Sequence, residues 1–169
     1  MEQEFFEITG FLPGPRLTNA LAEKELRKDR LFQSLANLVF DSPEILHLLK
    51  SRVGSWLEEE FSERTQALAG YIAYLDEDYH RAASSFMTAV TMNPANLDSW
   101  LDLAFSLYHL SDPMGYAIIF NYDVFITLYR EMEIKQCCRE SLEKIEAEML
   151  ERGLELSQNP GAFLPQQKL

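Results

Sequence analysis

Cysteine is scarce in this chain, and hairpin turns of the Asn-Gly or Asp-Gly type and long apolar runs are missing. The two cysteines, Cys137 and Cys138, are neighbours. Adjacent cysteines have the wrong geometry for an ordinary structural disulfide. They are expected to be small buried apolar residues of a protein kept in a reducing compartment. Without tight hairpin turns or alternating apolar runs, a β architecture has little to build on. The longest apolar stretch, "GYAIIFNYDVFITLY", is broken by Asn121 and Asp123 and falls short of the roughly 20 residues that span a bilayer. The opening "MEQEFFEITGFLPGPR" lacks the basic-then-apolar order of a secretion signal. The expectation is a cytoplasmic protein with no membrane role.

Positive charge is also short. Fifteen Lys and Arg face 27 Asp and Glu, for a formal net charge of -12 and a pI near 4.6. That field repels phosphate backbones, so nucleic acid is not an expected partner, whereas a basic segment suits it. Residue sets that carry catalysis or bind metal are missing too. His47, His80 and His109 have no second histidine at ligand spacing. The acidic turn Asp76-Glu77-Asp78 lacks the glycine and distal Glu of a calcium loop. No glycine-rich phosphate loop and no Gly-x-Ser-x-Gly elbow occurs. Acidic neighbours oppose thiolate formation at Cys137. The expectation is no enzyme activity, no cofactor and no metal.

What is present is helical periodicity. The 169 residues suffice for one domain with a sizeable core. Residues 1–16 are expected to be irregular, because Gly10, Pro13, Gly14 and Pro15 break a helix. A single all-helical domain is expected over 17–152 and a flexible tail over 153–169. Leu21, Leu31, Phe32, Leu35 and Leu38 predict a helix over 18–39. Ser42 as cap and Pro43 at the first helical position start another that runs to about Glu60, with Ile45, Leu48, Leu49, Val53, Trp56 and Leu57 inward. Ser62 caps a third over 63–75, and the acidic turn leads to a fourth over 79–92, ended by "NPAN". Helices at 97–110 and 113–131 follow, the latter behind a second cap-then-proline signal, "SDP". The last, over 134–152, carries an apolar stripe of Ile134, Cys138, Leu142, Ile145 and Met149 opposite a charged face.

A shift of 34 residues superposes Gly70 on Ala104, Tyr71 on Phe105, Tyr74 on Tyr108 and Phe86 on Phe120. Ala82-x3-Phe86-x2-Ala89-x4-Pro94 in one copy and Trp100-x2-Leu103-Ala104 in the next complete the pattern. With these residues the chain resembles the tetratricopeptide repeat (TPR) family over 63–130. Gln66 and Ala73 stand where that family has Trp and Tyr, Tyr116 stands where it has a small residue, and the second closing proline is missing. The resemblance implies an all-α fold: TPR-like antiparallel helix hairpins, a short α-solenoid, with flanking N-terminal helices and a C-terminal capping helix. The alternative is an unrelated helical bundle.

The resemblance also implies a use. Such proteins are scaffolds that hold a partner peptide or helix in a groove lined by the first helix of each pair. By position this places Arg64, Ala67, Leu68, Tyr71, Tyr74 and Leu75 on the groove from the first copy. Asp98, Leu101, Asp102, Phe105, Tyr108 and His109 come from the second. The expected binding residues are Arg64, Tyr71, Tyr74, Asp98, Asp102, Phe105, Tyr108 and His109, for a basic or apolar segment of another protein. Two alternatives stand beside an open groove. The aromatics could be core beneath the N-terminal helices, or the "FFEITGFLP" and "GAFLP" segments could fill the groove from within. The functional expectation is a non-enzymatic adaptor. The alternatives are a small acidic secretion-type chaperone and an accessory subunit of an enzyme assembly. The stripe of the last helix also suits pairing with its own copy, a homodimer.

Overall fold

The computed structural model describes residues 1–13, 30–94, 96–120, 125, 147–148 and 150–151. Among them are seven helices and no strand: α1 (Glu2–Thr9), α2 (Arg30–Asp41), α3 (Pro43–Glu59), α4 (Glu63–Leu75), α5 (Tyr79–Met92), α6 (Leu97–His109) and α7 (Pro113–Phe120). The chain is all-α, and consecutive helices pack on one another in the manner of a solenoid. The expected stretches 17–29, 121–124 and 126–131 and most of the capping helix over 134–152 lie outside the described residues, as does the tail.

Local chemistry sets the helix bounds. Ser62 accepts from the Thr65 amide at 3.3 Å, and the Thr65 hydroxyl accepts from the Ser62 amide at 3.1 Å. This reciprocal cap satisfies two of the amides that a helix start leaves unpaired. Asp78 accepts from the Arg81 amide at the start of α5, and Asp112 from the Met114 amide at the start of α7. The expected cap at Ser42 is different: its side chain makes no capping bond. Its carbonyl instead accepts from the Ile45 amide at 3.0 Å.

α4 with α5 and α6 with α7 form two hairpins whose turns are the same turn. Glu77 and Ser111, 34 residues apart, both have positive φ, 60° and 58°. The amides of Glu77 and Ser111 donate to Tyr74 and Tyr108 carbonyls, both at 3.0 Å. Those of Asp78 and Asp112 donate to Ala73 and Leu107 carbonyls, both at 2.9 Å. The 34-residue period is therefore a property of the backbone as well as of the side chains.

Small residues stand where the helices approach most closely. Ala82, Ala89 and Ala104 are fully buried. A Cβ on Gly70 would lie 2.5 Å from the Phe86 ring. One on Gly115 would strike the α6 backbone, the Tyr108 amide nitrogen and the Leu107 carbonyl carbon at 2.7 Å. Trp100 is buried and donates to the Pro94 carbonyl at 3.0 Å, joining the second hairpin to the end of the first. Glu63 accepts from Asn93 at 2.9 Å and from Asn96, which fastens the α5–α6 connection to the start of α4.

Residues 1–16 are not irregular throughout. α1 forms, and Gly10 ends it at a left-handed φ of 80°. Phe5 is fully buried, edge-on to Trp56 (6.1 Å) and Phe11 (5.5 Å). Glu4 accepts from Arg52 Nε at 3.2 Å and from the Trp56 indole at 2.6 Å. These bonds hold the Glu4 carboxyl below its ordinary pKa of 4.5. The opening segment thus docks on α3, and its Glu2 reaches Arg64 at the start of α4. "GAFLP" lies outside the described residues. On α3, Leu49 and Trp56 are buried as expected, but Leu48 is half exposed.

Candidate partner-binding edge

Much of the inner face of α4 and α6 is buried. Phe32 of α2 packs edge-on against Tyr71 at 5.3 Å and Tyr74 at 5.6 Å. Tyr71 is fully buried and donates to Asp102 at 2.9 Å. Asp98 and Asp102 are only 3% and 4% exposed. Tyr71, Asp98 and Asp102, expected on an open groove, are therefore interior residues, and the Tyr71–Asp102 bond joins the two hairpins. Buried polar groups of this kind hold their place by hydrogen bonds, and freeing them for a partner would cost that pairing. Ala67, Leu68 and Leu101 are buried with them. Arg64 is half exposed, and its guanidinium is bonded to Glu2 of α1 and to Glu60 at 3.1 Å. Phe105 is half buried against the core.

The other expected residues converge elsewhere, at the edge where the two identical turns lie. The Tyr74 hydroxyl is 2.9 Å from His109 Nε2. The His109 ring lies flat on Tyr79, with centroids 4.1 Å apart and planes within 8°. Tyr74 meets Tyr79 edge-on at 5.3 Å. Tyr108 continues the series, 5.8 Å from His109, 5.1 Å from Tyr116 and 6.0 Å from Phe120. The result is a row of rings, Tyr74, Tyr79, His109, Tyr108, Tyr116 and Phe120, that crosses from the first hairpin to the second. Every ring in it is at least partly exposed, and Tyr108 is 37% exposed.

The row exists because the repeat places Tyr74 and Tyr108 at the same point of the same turn. From there, Tyr79 at the start of α5 and Tyr116 and Phe120 along α7 supply the neighbouring rings. Acidic residues border it: Asp76, Glu77 and Asp78 in the first turn and Asp112 in the second. Lys50 reaches Asp76 at 2.8 Å, and Arg81 lies 3.8 Å from Asp78. Tyrosine faces are electron-rich and attract a cation, Arg above all. Carboxylates beside them add to that attraction and set its sign.

Tyr74, Tyr108 and His109 were legible as binding candidates. Tyr79, Tyr116, Phe120 and the acidic border were not, although the 34-residue shift already aligned the two turns. Among the described residues, no group of three or more His, Cys, Asp or Glu side chains gathers to hold a metal ion. No helix among them is long and apolar enough to cross a membrane. No family model, no curated protein and no solved structure matches the chain.

Proposed function

We propose that the chain is a non-enzymatic scaffold built from TPR-like hairpins, and that it holds a basic segment of another protein along the turn edge. The observation that supports this reading is the row of partly exposed rings spanning both hairpins beside the acidic turns. His109 on Tyr79 is a planar, nitrogen-bearing ring stacked face to face on a phenol. A guanidinium is planar in the same way and stacks on aromatic faces. The largely buried inner face argues against the usual groove, and the net charge of -12 favours a basic partner over an acidic one.

Fluorescence anisotropy with a labelled arginine-rich peptide and a glutamate-rich control tests this. The arginine peptide is expected to bind, weaken with added salt, and lose about tenfold in affinity in the Tyr79→Ala/Tyr108→Ala double variant, since exposed cation–π contacts contribute about 0.5–1 kcal/mol each. Equal binding of both peptides, or binding untouched by the double variant, overturns the reading.

A further inference from the structure

The acidic turn has a second side. Away from the ring row, Asp76, Asp78 and Arg81 form the rim of a cleft of about 370 Å³ between α3 and α5. Both helices lean on α4, which supplies the floor through Ala69, Ile72 and Ala73. Val53, Gly54 and Leu57 of α3 make one wall, and Lys50 crosses its end to Asp76.

Gly54 is the unexplained residue. It lies in the middle of α3, where glycine disfavours the helix by about 1 kcal/mol relative to alanine. Gly70 and Gly115 have a structural reason, because a Cβ on either would collide with a packed neighbour. A Cβ on Gly54 would meet nothing within 4 Å. No contact within the described residues calls for glycine there. The missing side chain leaves the cleft open along its α3 wall.

We propose that this cleft is an anchor pocket for the same basic segment that the ring row holds, taking one large aliphatic side chain of that segment over Ile72 between Val53 and Leu57. The inference rests on the proposed function, because the cleft and the row share the acidic turn. A segment whose basic residues lie over Asp76, Glu77 and Asp78 has the cleft on one side and Tyr79 with His109 on the other. The small residues Gly54, Ala69 and Ala73 leave room for a leucine-sized group above an apolar floor. Burial of such a group is favourable in proportion to the apolar area it loses to the floor. At the rim Asp76 is paired with Lys50 and Asp78 with Arg81, and the exposed Glu77 between them supplies the charge that favours the basic flank.

Two synthetic amidated peptides test this, one arginine-rich with a single leucine and one with that leucine replaced by serine. Each is titrated into the full chain and into the Gly54→Leu variant, which fills the cleft from inside. Thermal melting checks that this variant folds, as expected for a substitution that improves helix propensity into open space. The leucine peptide is expected to bind the wild-type chain at least fivefold tighter than the serine peptide. In Gly54→Leu that advantage is expected to disappear, while the serine peptide binds as before. If the leucine peptide keeps its advantage in the folded variant, or has none in the wild type, the anchor pocket is wrong and the ring row stands. If neither peptide binds the wild-type chain, the proposed function falls and the anchor falls with it.

Discussion

The two sides of α4 meet their neighbours in different ways. Towards α5 the seam is closed: Phe86 covers Gly70, Ala82 and Ala89 are buried, and no space remains for another methyl group. The α6–α7 seam is closed in the same manner by Gly115 against the α6 backbone. Towards α3 the packing is slighter, and a cleft faces Gly54. The residue type is the same at all three seams, and its meaning differs. At Gly70 and Gly115 glycine permits the fold, whereas at Gly54 it leaves a surface open. The repeat hairpins carry the ring row, and the joint to the flanking helices carries the cleft.

Substitution of the three glycines should separate these roles. Gly115→Ala should cost the most, about 2–3 kcal/mol by denaturant unfolding, because the new methyl meets backbone that cannot turn aside. Gly70→Ala should cost less, about 1–2 kcal/mol, since the obstacle is the Phe86 ring, a side chain that can shift slightly within a packed core. A cost at Gly54→Ala as large as either would erase the distinction between the seams.

Acid should also divide the molecule. Glu4 has its carboxyl held below 4.5 by its bonds from Arg52 and Trp56. Above pH 4.5 its contribution to docking α1 on α3 is complete. It is lost as pH falls through the lowered value, because the undocked state then binds the proton more readily. Trp56 donates to this carboxylate, while Trp100 donates to a backbone carbonyl that does not titrate in this range. In single-tryptophan variants, Trp56 emission should change on acidification below pH 4.5 before Trp100 emission does. Simultaneous change would mean that the two regions unfold as one. The smallest effect is of opposite sign: Gly54→Ala should stabilise the chain by about 0.5–1 kcal/mol, as for any glycine replaced in an open helical position.

Much of this architecture was legible in the sequence where local rules dominate. Ser62 and the following Glu63 mark the start of α4, and "SDP" marks the start of α7, because capping chemistry is confined to a few neighbouring residues. The identity of the two turns followed from the 34-residue shift. Long-range packing was not legible. α1 is eight residues long, too short to be stable alone, and it forms because Phe5 and Glu4 find Trp56 and Arg52 about fifty residues away. Tyr71 and Asp102 look like groove residues by position, but Phe32 of α2 covers Tyr71, and that pairing leaves no local pattern. The ring row lay between these cases. Its two tyrosines were visible in the repeat, while Tyr79 and Tyr116 gain their place only when the turns fold back.

The most direct test of the account is amide hydrogen exchange on the full chain, with and without the arginine-rich leucine peptide. Slower exchange in the peptide's presence is predicted at both turns, 76–78 and 110–112, and along the cleft wall near Gly54. Protection confined to the buried inner face of α4 and α6, with neither turn affected, would contradict it.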